Sequence, residues 1–363
     1  MEISLRDPLR VVFMGTPRLA AVALSDLYDA GYEIPLVLTR PDSPAGRGKK
    51  IACSSVKAFA MSKGLTVIQP GSLKNDRVLQ LIIEAGPDVI VTAAYGKILP
   101  KAVLEAAPLG CLNIHPSLLP AYRGASPIQW ALLSGETQTG VTIMKSDEGI
   151  DTGPILAQET LSVSDDMDYG SLYEALSALG SRLLLETLPL WARGEICARE
   201  QSALGVSYAG KMTREREIIA WDRPAKDIAN HIRAFSPAPG ASASIDGKEI
   251  KILAASALTG SGLPELLTNS AATTAVPELL TNAAATTAAP ELLATDAAPG
   301  LIAGIIRRQG PVIRTGDGFL LITRVKPAGK NPMDAWSWLN GSRLKAGQSF
   351  TAISGVTAIT GAP

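Results

Sequence analysis

The stretch LRVVFMGTPRLAAVALSDLYDA, residues 9–30, predicts a strand, a turn and a helix in immediate succession. Residues 9–14 form a short apolar run, which is typical of a strand buried within a sheet. The run ends at Gly15, and apolar residues then recur at helical spacing from Leu19 to Ala30. A strand that leads directly into a helix favours an α/β fold with a mostly parallel sheet.

The same alternation of strand and helix continues through the first half of the chain. We predict strands at residues 36–39, 88–94, 111–114 and 140–144, and helices at 54–63, 73–84 and 169–191. Beyond residue 210, short β-type runs dominate, at residues 250–253, 311–314 and 319–323. The sequence therefore predicts an α/β domain over residues 1–194, a linker over 195–210 and a small β domain over 211–363.

The composition excludes several classes of protein. Hydrophobic residues make up 46% of the 363 residues and charged residues 19%, which excludes a largely disordered, collagen-like or disulfide-scaffold chain. The chain has no apolar run long enough for a membrane span and no signal core at its start, so we expect a cytoplasmic protein without a membrane partner. The 3 cysteines and 2 histidines lack metal-ligand spacing, and we expect no metal.

The formal net charge is zero, but the charges are unevenly distributed along the chain. Residues 1–210 hold 18 Lys and Arg against 22 Asp and Glu, whereas residues 301–363 hold 8 against 2. A basic module attached to a neutral chain indicates a polyanionic partner such as a nucleic acid, because phosphate contacts dominate nucleic-acid affinity. A solvated cationic face is the alternative interpretation.

Residues 259–300 differ in kind from the rest of the chain. The tetrapeptide PELL begins at Pro264, Pro277 and Pro290, a strict period of 13 residues filled with Ala, Thr and Asn and without Lys or Arg. These repeats lack the large apolar residues that a solenoid needs, and each Pro would interrupt a helix. We predict a flexible insertion that arose by duplication, and a small helical or extended protrusion is the alternative.

Asn113 and His115 are the strongest candidates for chemistry. They stand two residues apart at the end of an apolar strand, so their side chains project from the same face. Ligands of open parallel sheets bind beyond the carboxyl ends of the strands, which is where this pair would lie. A structural histidine is the alternative when His115 is considered alone.

Asp151 is the third candidate, in the glycine-flanked turn GIDTG at residues 149–153. An aspartate between glycines is by itself more often a turn former. Because it follows the strand predicted at 140–144, we expect it to meet Asn113 and His115 at adjacent strand ends. The other histidine, His231, lies in a helical pattern, for which we predict a structural role.

The segment RPDSPAGRGKK, residues 40–50, places Arg40, Arg47, Lys49 and Lys50 in a loop rich in Pro and Gly with one acid. An exposed loop of this kind can reach a phosphate backbone, although a merely solvated loop is equally consistent with the sequence. The turn after the first strand lacks the G-x-G-x-x-G pattern, which argues against a dinucleotide cofactor.

Several of these motifs resemble those of the folate-dependent formyltransferases. The similarity rests on Asn113-Ile114-His115, Ser117 to Pro120, Arg123-Gly124, residues 139–144 and Asp151-Thr152-Gly153, and it runs from Leu9 to near the C-terminus. The chain departs from the family pattern at Pro116, at Lys326 and in the repeat, and none of these touches the three candidate catalytic residues.

The resemblance implies a Rossmann-like formyltransferase domain followed by an OB-like β-barrel that helps to hold tRNA. It implies transfer of a formyl group from 10-formyltetrahydrofolate to the α-amine of methionine on initiator tRNA, in support of translation initiation. The residues it implies are Asn113, His115 and Asp151 for catalysis and Ser117, Leu118, Leu119 and Pro120 for folate. From the charge of their loop we expect Arg40, Arg47, Lys49 and Lys50 to bind the tRNA. We expect a monomer.

The implied roles agree with elementary chemistry. An imidazole, with an ordinary pKa of about 6.5, is a suitable base for an amine whose pKa is near 8. The Asn113 amide would stabilise the tetrahedral oxyanion, and Asp151 would either orient the imidazolium or act through a bound water.

Two other functions compete with this interpretation. A formyltransferase of the same fold could act on a small amine, such as an amino sugar nucleotide or phosphoribosylglycinamide, but it would not need the basic loop and the basic C-terminal module. An RNA-binding protein with a decayed enzymatic domain would not need the intact set of Asn113, His115 and Asp151.

Overall fold

The computed structural model describes residues 7–45, 50–258, 286–288 and 298–353. The strands of its first domain and the following segment are β1 (Arg10–Gly15), β2 (Glu33–Leu38), β3 (Ser43–Ala45), β4 (Lys50–Ala52), β5 (Val67–Ile68), β6 (Val89–Ala93), β7 (Cys111–His115), β8 (Arg123–Gly124), β9 (Gln138–Lys145), β10 (Ile155–Ser162) and β11 (Tyr208–Ala209). Seven of them form one sheet in the order β10-β9-β7-β6-β1-β2-β5. The strands from β7 to β5 are parallel, as the sequence predicts.

Helices cover both faces of this sheet. They are α1 (Arg18–Asp29), α2 (Ser55–Ser62), α3 (Asp76–Glu84), α4 (Lys101–Leu104), α5 (Pro127–Leu133) and α6 (Tyr169–Ala192). Alternate residues of β1 belong to different apolar clusters: Phe13 packs in the cluster of α1 and α6, and Met14 in that of α3 and α4. Burial on both faces explains why β1 is an unbroken apolar run.

The second domain is an antiparallel β structure. Its strands are β12 (Ala241–Ile245), β13 (Lys248–Leu258), β14 (Thr286–Ala288), β15 (Ile302–Ile306), β16 (Gly310–Arg314), β17 (Phe319–Pro327), β18 (Met333–Asp334) and β19 (Phe350–Thr351). They form one eight-stranded sheet that curls into an OB-like half-barrel, which confirms the predicted fold class. Helix α7 (Ala225–Phe235) packs between this sheet and α5, and α8 (Ala335–Ser342) packs on β16 and β17.

The direction of β9 differs from the sequence expectation. We expected a further parallel strand, but β9 runs antiparallel to β7, with Thr142 opposite His115. The next strand, β10, was not predicted, and it pairs antiparallel with β9 as the edge of the sheet. Its residues alternate between partly buried and exposed after Leu156, because only one face of the strand is covered. The expectation was wrong because the pattern of helices and strands in a sequence does not encode strand direction. The helix before β9, α5, has only 7 residues.

Part of the segment predicted as a flexible insertion belongs to the barrel. Thr286–Ala288 form β14, which pairs with β15, and Gly300 donates its backbone N–H to the carbonyl of Arg314 at 2.8 Å. The PELL motifs at Pro264, Pro277 and Pro290 lie outside the described residues. No helix in the described ranges is long and apolar enough to cross a membrane.

Candidate active site

Asn113 and His115 lie side by side near the end of β7, where the period of two places them on one face. The hydroxyl of Thr92, on the adjacent strand β6, lies 2.9 Å from Oδ1 of Asn113. This contact directs the amide nitrogen of Asn113 away from the sheet, to 3.5 Å from Oδ1 of Asp151.

The imidazole of His115 has a protein contact at each of its nitrogens. Nε2 lies 3.0 Å from the backbone carbonyl of Tyr122, and Nδ1 lies 3.6 Å from Oδ2 of Asp151. Because a carbonyl oxygen only accepts, Nε2 carries a proton in this contact. A proton taken up at Nδ1 then lies against the carboxylate of Asp151.

Asp151 lies next to Asn113 and His115, but not because β7 and β9 end at the same edge of the sheet, as expected. Since β9 runs antiparallel to β7, the end of β9 lies beside the start of β7, and the loop of residues 146–154 must fold back to reach Asn113 and His115. Asp151 has a φ of 53°, which residues other than glycine rarely adopt. Its Oδ2 accepts the backbone N–H of Gly124 at 2.8 Å, which fixes the carboxylate within the site.

The segment Ser117–Pro120 is held by Thr142, a fully buried residue of β9. The Thr142 hydroxyl donates to the carbonyl of Ser117 at 2.7 Å and accepts the N–H of Leu119 at 3.1 Å. Ser117 and Leu119 are themselves buried, whereas Leu118 and Pro120 are half-buried. Leu118 packs against Gly140: a Cβ on Gly140 would lie 2.6 Å from Cδ2 of Leu118.

The segment between the domains also reaches the site. Strand β11 pairs in parallel with β8, with Tyr208 opposite Arg123. The hydroxyl of Ser207 accepts the backbone N–H of Tyr122 at 2.9 Å. Residues predicted only as a linker therefore support the loop that contacts His115 and Asp151.

Arg40 is the one residue of the predicted tRNA-binding set whose side-chain surroundings the structure describes. It is exposed, and its guanidinium packs on Gly96, where a Cβ would lie 3.4 Å from Nη1. Burial and the nearby charge of Arg40 lower the pKa of Lys97, which donates to the carbonyls of Pro70 and Gly71. Arg47 and Lys49 lie outside the described residues, and of Lys50 only the backbone, in β4, is described.

Asp42, the acidic residue of the segment 40–50, pairs with other residues of the protein. Asp42 accepts from Nζ of Lys57 at 2.6 Å and from Nε2 of Gln69 at 2.8 Å. Hydrogen bonds from Lys57 and Gln69 lower the pKa of Asp42 below its ordinary value. The carboxylate of Asp42 is therefore bound by Lys57 and Gln69, while the nearby Arg40 is exposed.

His231 lies apart from the candidate site. It sits on α7, its Nε2 donates to the carbonyl of Arg216 at 2.7 Å, and its ring packs edge-on against Phe235. Burial lowers the pKa of His231 to about 4, so the ring is neutral at physiological pH. These contacts agree with the structural role predicted for it.

Four further residues shape the site and were not among the candidates predicted from the sequence: Thr92, Thr142, Gln201 and Ser207. Each acts through a hydrogen bond to a residue at least 20 positions away. Only Thr142 carried a signal, because it lies in the stretch 139–144 that the family resemblance includes.

Two family models match the chain. The formyl transferase model matches residues 9–188, and the model of the formyl transferase C-terminal domain matches residues 211–343. The chain is 40% identical to a methionyl-tRNA formyltransferase of Symbiobacterium thermophilum, over 94% of this chain and 95% of that protein. It is 46% identical to the methionyl-tRNA formyltransferase of Aromatoleum aromaticum, over 71% of this chain and 81% of that protein.

Solved structures share the fold at low sequence identity. HypX from Aquifex aeolicus in complex with tetrahydrofolic acid superposes with a TM-score of 0.57 at 18% identity, over 97% of this chain and 49% of that one. This chain thus spans about half the length of HypX. An N-formyltransferase from Helicobacter canadensis, in complex with folinic acid and dTDP-3-aminofucose, gives 0.56 at 17% identity, over 86% of this chain and 98% of that one.

Proposed function

We infer that this chain, which belongs to the formyl transferase family, transfers a formyl group to the α-amino group of methionyl initiator tRNA. Relatives that match both of its domains at nearly full length are methionyl-tRNA formyltransferases. The chain is therefore an enzyme of translation initiation, and we place its activity in the cytoplasm. All three proposed catalytic residues come from one chain, so it can act as a monomer.

The observation that carries this proposal is the triangle of Asn113, His115 and Asp151. The amide of Asn113 and the imidazole of His115, near the end of a central strand, each lie within 3.6 Å of the carboxylate of Asp151. Acyl transfer needs these functions together: a donor for the oxyanion and an acceptor for the proton of the amine.

Asn113 and the pair formed by His115 and Asp151 divide the chemistry between them. Asn113 donates an amide N–H to the oxyanion that forms when the amine attacks the formyl carbon; its 3.5 Å contact with Asp151 is long enough to be exchanged for this one. His115 and Asp151 accept the proton that the amine loses and return a proton to the leaving nitrogen of the folate. The Asp151 side chain is 19% exposed and that of His115 5%, so the carboxylate is the more accessible member of the pair.

The formyl donor in this proposal is 10-formyltetrahydrofolate, bound beside residues 117–120. Ser117 and Leu119 are buried and fix the segment through Thr142. Leu118 and Pro120 are half-buried and offer apolar surface to the ring system of the folate. The residues present therefore fit an aromatic ligand next to the triangle.

The tRNA approaches from the side of the basic segment. Arg40, Arg47, Lys49 and Lys50 bind its phosphates, and the exposure of Arg40 supports this role. A small amine such as an amino sugar nucleotide would not need these cations. The solved relative in complex with dTDP-3-aminofucose is only 17% identical, which supports a shared fold and not a shared acceptor.

A turnover assay tests the proposal. The purified protein is incubated with 10-formyltetrahydrofolate and, in parallel, with methionyl initiator tRNA, an amino sugar nucleotide or phosphoribosylglycinamide. We expect formylation of the tRNA at a rate at least 100-fold above that of either small amine, on the order of what a site built around one acceptor achieves. Preferred formylation of a small amine would show that this amine, and not the tRNA, is the acceptor. Absence of turnover with every acceptor would show that the protein binds its ligands without catalysis.

A further inference from the structure

Gln201, in the segment between the domains, uses its whole side-chain amide inside the active-site framework. Its Nε2 donates to the carbonyls of Asp151 and Gly153, each at 2.8 Å. Its Oε1 accepts from Nε and Nη2 of Arg123, at 3.0 and 2.7 Å. A primary amide has two donor protons and one oxygen with two lone pairs, so all four positions are filled.

These four hydrogen bonds join the two backbone pieces that hold the catalytic pair. Tyr122, next to Arg123, contacts His115 through its carbonyl, and Gly124 binds the carboxylate of Asp151. On the other side, Gln201 holds the carbonyl of Asp151 itself. Gln201 therefore links the loop that supports His115 to the turn that carries Asp151.

The turn of Asp151 needs such external support. Its φ of 53° lies in the left-handed region, which aspartate tolerates better than most residues but which contacts from the surroundings help to hold. Two of the carbonyls that shape the turn, those of Asp151 and Gly153, are the two that Gln201 binds.

We propose that Gln201 is a positioning residue, which sets the Asp151 carboxylate against His115. It does not touch substrate, because its amide is fully engaged by the protein. The segment of residues 195–210 is then part of the active site and not only a connection between domains. This inference rests on the proposed function for its kinetic test, but the geometry it claims can be measured without turnover.

The decisive variant is Gln201→Glu. The carboxylate can still accept from Arg123, so the segment stays anchored, but it cannot donate to the carbonyls of Asp151 and Gly153 and instead repels them. We expect kcat to fall on the order of 10-fold, with the KM values for folate and tRNA changed by less than about 2-fold. Gln80→Glu makes the same exchange on the exposed side of α3 and should leave kcat unchanged.

A double-mutant cycle separates positioning from general destabilisation. In an Asp151→Asn background, Gln201→Glu should cost less than about 2-fold, because its effect passes through Asp151. If Gln201→Glu lowers kcat equally in both backgrounds, or leaves kcat of the folded wild-type background intact, the inference is wrong.

The two histidines of the chain give a test that is independent of activity. In imidazole NMR spectra, Gln201→Glu should shift the signals of His115 and leave those of His231, which report that the protein is folded. Unshifted His115 signals would overturn the positioning role. An inactive wild-type protein in which His115 still responds would count against the proposed function alone.

Discussion

The backbone carbonyl of Tyr122 lies 3.0 Å from Nε2 of His115, seven residues earlier in the chain. The loop that follows β7 thus folds back and holds the side chain at the end of the same strand. Because this contact occupies Nε2, the nitrogen of His115 that remains for proton exchange is Nδ1, which faces Asp151. The backbone groups of Tyr122 and Gly124, which no side-chain substitution removes, therefore contribute to the orientation of the proposed catalytic pair.

Removal of the donor or of the imidazole should affect chemistry more than binding. We expect Asn113→Ala and His115→Ala each to lower kcat on the order of 100-fold or more, because both act mainly in the transition state. Steady-state kinetics with methionyl-tRNA gives kcat, and filter binding gives the Kd for tRNA, which should change by less than about 3-fold. Intact kcat together with weaker tRNA binding in both variants would assign them to binding.

The basic segment should determine the salt dependence of tRNA binding. We expect Arg47→Ala, and separately the pair Lys49→Ala and Lys50→Ala, to raise the KM for tRNA. The slope of log K against log salt should fall by about 0.7 to 0.9 for each phosphate group that a variant no longer binds. Measurement of KM at several salt concentrations tests this. Lys74→Ala, on the exposed surface before α3, is the matched control. Unchanged slopes in both segment variants would show that the segment is merely solvated.

His231 should make the protein less stable in mild acid. Burial lowers its pKa to about 4, so between pH 4 and an unfolded value of about 6.5 the unfolded chain binds more protons. The neutral ring contributes its full stability above pH 6.5, and this contribution declines as the pH falls towards 4. At pH 5 the loss should be about 2 kcal/mol.

The variant His231→Gln keeps an N–H for the carbonyl of Arg216 but does not titrate in this range. Urea unfolding at pH 7.5 and pH 5 should therefore show a smaller loss of stability on acidification for His231→Gln than for the wild type. Parallel curves for the two proteins would mean that other groups cause the acid sensitivity.

The 13-residue repeat allows a deletion that preserves β14. Residues 286–288 read TTA and pair with β15, and residues 273–275, one period earlier, also read TTA. Deletion of residues 277–289 removes the TTA of β14 but joins Val276 to Pro290. The TTA of residues 273–275 then ends two positions before Pro290, as the TTA of β14 does in the full chain. We expect the melting temperature and the formylation rate to stay nearly unchanged, since shortening a connection changes its closure entropy by less than about 1 kcal/mol.

Deletion of both repeat units, residues 264–289, removes both copies of TTA and supplies the contrast. This protein should melt several degrees lower, because β15 keeps β16 but loses its other partner strand, β14. Equal melting temperatures for the two deletions would show that β14 adds nothing to the barrel, and a lower melting temperature in the single deletion would assign a structural role to each repeat unit.

Local patterns were sufficient for most of the elements of the first domain. The apolar run of β1, the helical spacing of α6 and the position of Asn113 and His115 on one face of β7 all follow from periodicities within a few residues. The direction of β9 did not follow, because direction depends on which strand is adjacent and not on the residues of the strand itself.

The sequence by itself therefore determined the α/β and β classes of the two domains and the candidate pair on β7. These follow from the spacing of residues close together in the chain, which determines burial and side-chain direction. Only the tertiary structure decided how Asp151 arrives, by a loop that folds back from an antiparallel strand, and which residues hold it there. Gly124 and Gln201 bind Asp151 from 27 and 50 positions away. Hydrogen bonds over such separations depend on how the whole chain packs, and no spacing within the sequence encodes them.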